Sequence, residues 1–174
     1  TEAGGATTTF HGKGTGVDWE GRPWCAPPKG LRPGDGAHDC FIPKRCIHRW
    51  VGHAKGVQTV RLFPRTAHLL LSASLDSTCK MWSVYDADRS ADGEGRRLLR
   101  TYAGRAAAGR DAQFAPEGDR FASTGFDRFV RVWDVETGAA LHTLTPNRKM
   151  AYCVQFYPLD SNVRGAAAAP RPPL

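Results

Sequence analysis

Asp76 precedes Trp82 by six residues, and Asp127 precedes Trp133 by the same six. Each pair closes a similar run, GHAKGVQTVRLFPRTAHLLLSASLDSTCKMW in the first case and GRDAQFAPEGDRFASTGFDRFVRVWDV in the second. A recurring unit constrains a fold more tightly than a single motif, because each copy has to adopt the same supersecondary structure. Pro64, Pro116 and Pro158 mark the same point of successive units, 52 and then 42 residues apart. The longer interval contains residues 86–97, DADRSADGEGRR, which are charged and glycine-containing and read as a loop insertion.

Within each unit, short apolar runs alternate with turn residues. The pattern predicts strands over 57–63, 68–75, 78–84 and 98–102, and again over 111–114, 121–125, 129–135 and 140–144. Pro64-Arg65-Thr66, Asp76-Ser77, Glu117-Gly118-Asp119 and Glu136-Thr137-Gly138 supply the turns. The strands are apolar on both sides of the pleat, which suits sheets packed between neighbours better than a half-solvated sheet. A Gly-His opening (Gly52-His53), a turn Asp and a closing Trp together resemble the WD40 repeat. The resemblance implies an all-β fold, a fragment of a β-propeller with about two full blades and flanking single strands.

The flanks read differently. Residues 1–45 are rich in Gly and Pro, with isolated aromatics at Phe10, Trp19, Trp24 and Phe41. They are expected to form an extended, largely irregular arm, ordered where an aromatic finds a pocket. The partial propeller spans 46–158. Residues 46–51 (CIHRWV) are expected as a lone outer strand of a preceding blade. The second unit opens on Gly104-Arg105 instead of Gly-His, followed by three alanines. A third unit begins, with Val154, Phe156 and Pro158 matching Val60, Leu62 and Pro64, and then passes into residues 159–174, a low-complexity tail expected to be disordered. A propeller needs at least about four blades to close. The chain, which does not begin with Met, is therefore expected to be part of a larger ring, with open sheet edges when alone.

Composition narrows the functional classes. The net charge of +7 is spread over the chain, with +2, +3 and +2 on residues 1–50, 51–100 and 101–174. That suits an RNA partner and a solvated basic surface equally. No apolar run approaches the roughly 18 residues that suggest a membrane span, and the first residues lack the basic-then-apolar order of a signal peptide. Five cysteines, an odd number without paired spacing, suggest reduced thiols.

Several residues imitate chemistry. His53, Ser72 and Asp76 have the residue types of a hydrolytic triad, but with Trp82 they are expected to form a structural hydrogen-bonded network. In it Asp76 holds the turn, His53 bridges to it, and Ser72, in preference to Ser74, links His53 to the Trp82 indole. Ser123, Asp127 and Trp133 are its counterparts in the second unit, where no His stands, so a weaker network is expected there. His38, Asp39, Cys40, Cys46 and His48 include zinc-ligand types but lack paired CxxC spacing. Gly12, Gly14 and Gly16 lack the strand-to-helix context of a phosphate loop. No cofactor, metal, catalytic residue or small-molecule substrate is expected.

A narrower resemblance reaches into the arm. Residues 7–11 (TTTFH), 18–22 (DWEGR), 40–57 (CFIPKRCIHRWVGHAKGV), 61–76, 80–86, 126–138 and 147–158 (NRKMAYCVQFYP) are similar to the pre-mRNA-processing factor seventeen family of WD40 splicing factors. That family has Asn-Arg-Lys where most WD40 repeats have Gly-His. The resemblance implies a nuclear, non-enzymatic spliceosomal scaffold, acting around the second transesterification, with spliceosomal proteins as partners and RNA as a further candidate. By position in the matching arm, Trp19, Arg22, Trp24, Pro43, Lys44 and Arg45 are expected partner contacts. The alternatives are a generic WD40 adaptor of a ubiquitin-ligase or chromatin complex, and a truncated product without independent function.

Overall fold

The computed structural model describes residues 7–11, 22–28, 42, 44, 46, 48–84, 98–104, 107–144 and 148–157, and the backbone of 163–168. Among them there are eleven strands and no helix, hence no helix long and apolar enough to cross a membrane. The first blade is built from β2 (Val57–Leu62), β3 (Leu69–Ser74), β4 (Cys79–Ser83) and β5 (Leu98–Ala103). The second comprises β6 (Gly109–Phe114), β7 (Arg120–Gly125), β8 (Val130–Asp134) and β9 (Ala140–Leu144). Each is an antiparallel meander in sequence order. The turn residues close each hairpin as expected. Ser77 (φ 69°) and Arg128 (φ 67°), which follow the two turn aspartates, share the left-handed conformation.

Three expectations are corrected. Residues 48–51 do not enter a ladder; the Trp50 indole donates to the Ser83 carbonyl at 3.2 Å. The arm is not irregular throughout. Its residues Thr7–Phe10 form β1, which pairs antiparallel with β5, from Thr7 opposite Ala103 to Phe10 opposite Arg100. The blade thereby becomes five-stranded, and its outer edge is covered by β-branched threonines suited to a pleated surface. The tail is likewise not wholly unstructured: β11 (Val163–Ala168) pairs with β10 (Ala151–Phe156). β10 is the inner strand of the third unit, and its ladder groups have to be paired by whatever chain is near.

The core lies between blades. Leu69, Leu71, Met81 and Tyr102 of the first blade meet Phe114, Phe121, Trp133 and Val135 of the second, all buried. A second cluster joins Ala122, Val130 and Val132 to Val154 and Phe156 of β10. Gly118, at φ 83°, permits the tightest approach: a Cβ there would fall 2.2 Å from the Phe63 ring. Phe63 in turn lies edge-on against Phe114, with centroids 5.3 Å apart. Two polar ties reinforce the junction. The buried Tyr102 hydroxyl donates to the Val135 carbonyl at 3.0 Å, and Thr59 Oγ1 donates to the Arg110 carbonyl at 3.1 Å.

Candidate functional site

The first blade assembles the expected network. The Trp82 indole N–H donates to Ser72 Oγ at 2.8 Å, Ser72 Oγ lies 2.7 Å from His53 Nε2, and His53 Nδ1 lies 2.7 Å from Asp76 Oδ2. An ionised carboxylate only accepts, so His53 carries its proton on Nδ1 and its Nε2 accepts from the serine. Asp76 also accepts from the Ala54 and Thr78 amides and from the Thr78 hydroxyl. Ser74 is the turn's second brace: its hydroxyl reaches the Lys55 and Gly56 carbonyls and accepts from the Asp76 amide. Ser72, and not Ser74, lies at these distances from His53 and Trp82. The Ser-His-Asp distances are those of a nucleophile triad. Yet Ser72 is only 3 % exposed, and its oxygen is already occupied by the Trp82 N–H.

Burial alone would push the Asp76 carboxyl up, but the hydrogen bonds from Thr78 and His53 outweigh it and hold the group at about 2. A carboxyl depressed in the folded state contributes stability above its unfolded value and loses it as pH falls through the folded value. With the side chain 10 % exposed, the shift corresponds to about 2 kcal/mol. Asp76→Asn is therefore expected to lower unfolding free energy by at least about that amount at neutral pH. The gap to wild type should narrow as pH falls from about 4 to about 2. Urea titrations of both proteins at stepped pH check this; a gap that stays constant to pH 2 would count against it.

The second blade solves the same problem with other groups. Trp133 donates to Ser123 Oγ at 2.7 Å, repeating the Trp82–Ser72 bond. Asp127, however, is paired with Arg131 Nη1 at 2.5 Å, both side chains 3 % exposed. Arg131 stands opposite Ser123, where Lys80 stands opposite Ser72. A guanidinium from β8 thus takes the place of the imidazole beside the turn Asp, while Ser123 reaches the Arg131 backbone carbonyl at 3.4 Å. The sequence reading passed over Arg131; the signal was an Arg four residues after the turn Asp in a unit lacking its His. Asp111 was also missed. Buried in β6, it accepts from the Val154 amide at 3.1 Å and lies 3.6 Å from Arg61, so one carboxylate ties the second blade to both neighbours.

The arm residues divide. Trp19, Pro43 and Arg45 lie outside the described residues. Lys44 is exposed and Arg22 half-buried. Trp24 is engaged within the chain: its indole donates to the Glu136 carbonyl at 3.2 Å, and its ring lies 5.8 Å from that of Phe10. The Arg100 guanidinium sits over both rings, 5.2 and 5.5 Å from their centroids, and also donates to the Thr137 carbonyl. Next to Trp24, the Cys25 carbonyl accepts from buried His68 at 2.8 Å. Burial, assisted by the Glu136 carboxylate, pushes the Cys25 thiol up to about 11, so it stays protonated. Of the zinc-ligand types, His38, Asp39 and Cys40 lie outside the described residues; among those described, no three His, Cys, Asp or Glu side chains converge as metal ligands.

The family model for the WD domain, G-beta repeat, matches residues 44–83 and 97–134. The chain thus carries WD40 repeats over these residues. As a WD40 protein it resembles human "Pre-mRNA-processing factor 17", with 44 % identity over 81 % of this chain and 24 % of the relative. The Saccharomyces cerevisiae protein of the same name is 32 % identical over 74 % of the chain and 27 % of its own length. Mouse "WD repeat-containing protein 25" is 32 % identical over 70 % of the chain and 22 % of its own length. The chain thus spans about a quarter of the length of these curated relatives. The resemblance read from the arm and both blades is borne out, as is the all-β propeller-fragment fold.

Proposed function

We propose that this chain serves as a non-enzymatic scaffold in pre-mRNA splicing, acting in the nucleus around the exon-ligation step and docking spliceosomal proteins. The observation that carries the reading is the extent of the similarity to pre-mRNA-processing factor 17. At 81 % of the chain, it extends well beyond the two repeats that any WD40 protein would share. A generic adaptor gives no reason for the arm to match. The described arm residues Thr7–Phe10 and Trp24 pack on the blade, through β1 and the Phe10–Arg100–Trp24 stack. Trp24 then serves as anchor, while Trp19, Arg22, Pro43, Lys44 and Arg45 are the proposed partner contacts. The serine of the triad-like network is buried, which supports a scaffold over a hydrolase.

The tagged chain, recovered from nuclear extract, is expected to bring down spliceosomal small nuclear RNAs together with lariat intermediates. Lys44→Ala combined with Arg45→Ala should reduce that recovery severalfold without changing the melting curve. If the wild-type bait recovers neither RNA species, the splicing assignment fails and a generic WD40 adaptor remains.

A further inference from the structure

The two ends of the blades carry opposite charge. The turns between β6 and β7 and between β8 and β9 present Glu117, Asp119, Asp134 and Glu136 around one hollow, together with Cys25 and Phe63. At the other end, where β6 and β10 begin and β7 ends, Arg110, Phe126 and Tyr152 line a shallow notch. Met150 lines it as well, so Arg148 and Lys149 stand within two residues of it. Arg128 occupies the β7–β8 turn two residues beyond Phe126. Arg128, Arg148 and Lys149 are all exposed, and among the described residues none has a carboxylate at ion-pair distance. Among the described residues, the acids at this end, Asp76, Asp127 and Asp111, are engaged within the blades by His53, Arg131 and Arg61. A charge that is diffuse along the sequence is therefore polarised in the fold, and its positive end is left uncompensated.

That end also offers rings. Phe126 and Tyr152 are each 40 % exposed, whereas Trp82, Tyr102, Phe114, Phe121 and Trp133 are buried, and the Arg110 guanidinium lies 5.4 Å over the Tyr152 ring. Cations that neutralise phosphates, interleaved with rings on which bases stack, are the chemistry of single-strand recognition. An acidic peptide would use the cations but leave the rings idle. We propose that this end of the blades, formed by Arg110, Phe126, Arg128, Arg148, Lys149 and Tyr152, binds single-stranded RNA, with the backbone along the cations and a base on Tyr152. The inference deepens the splicing proposal by assigning an RNA surface, but the binding belongs to the chain alone. A direct titration therefore tests it independently of spliceosome recovery.

The probe is a fluorescent oligouridine of about ten nucleotides, titrated with the 174-residue chain by anisotropy at several salt concentrations. Binding is expected, weakening steeply as salt rises. Tyr152→Ala should weaken it about tenfold. Reversing Arg128, Arg148 and Lys149 to Glu should abolish it at moderate salt, and should lower the slope of log affinity against log salt by about 2. Arg65→Glu, in the β2–β3 turn at the opposite end, should change neither quantity. Circular dichroism confirms that each exposed-site variant keeps its fold. The proposal is overturned if no binding occurs at low salt, if Arg65→Glu weakens binding as much as the triple reversal, or if Tyr152→Ala has no effect. It is overturned equally if a polyglutamate peptide of matched charge binds as tightly as the RNA.

Discussion

Replacing Arg131 with leucine is expected to destabilise the chain by about 3–5 kcal/mol, because it strands the buried Asp127 carboxylate without a partner. Both side chains are 3 % exposed, so water cannot take over the role of the guanidinium. Among the described residues, the remaining tie to Asp127 is the Phe129 amide, at 3.3 Å. A domain of this kind has only about 5–15 kcal/mol of stability in total, so the loss would leave a sizeable fraction unfolded at moderate temperature. The double variant Arg131→Leu with Asp127→Asn should recover much of the loss, since the neutral amide removes the buried charge and its oxygen still accepts from Phe129. Urea denaturation of wild type, Arg131→Leu and the double variant, followed by Trp fluorescence, measures the loss and its recovery. A single variant within about 1 kcal/mol of wild type would show that the Asp127–Arg131 pair is not what holds the second blade.

Trp82→Ala is expected to cost a similar amount, about 3–5 kcal/mol, for a different reason. The ring is 2 % exposed, and its loss opens a cavity beneath the first blade's network. Gly52 lies so close that a Cβ there would stand 3.0 Å from the ring carbon Cη2. This explains the Gly of the Gly-His opening: the glycine lets the backbone lie on the indole while the next residue reaches into the network. Trp82→Phe separates packing from hydrogen bonding. It keeps most of the ring volume but loses the donation to Ser72, so about 1–2 kcal/mol should go. If Trp82→Phe proves as damaging as Trp82→Ala, the indole N–H outweighs the burial of the ring. If both are mild, the ring is not part of the cooperative core.

Features set by neighbouring residues were legible in the amino-acid order. The eight strands of the two blades lie within a few residues of their predicted bounds, because alternating apolar runs and turn residues act locally. The same holds for the His53–Ser72–Asp76–Trp82 network, whose spacing is a property of one hairpin pair. What the order left open depends on meetings between distant segments. Thr7–Phe10 carries no mark that it will pair with β5 over ninety residues later, since any open sheet edge could accept its threonines. Residues 163–168 were read as tail because alanines show no strand periodicity, yet the unpaired edge of β10 supplies what they lack. Arg131 drew no notice in the sequence, because its role arises when the fold buries it together with Asp127 and the two charges pair. The charge polarity between the two blade ends arises in the same way. Residues far apart in the chain collect at one end because every strand-to-strand turn alternates sides, and only the closed hairpins determine which charges are neutralised within the blade and which are left facing outward.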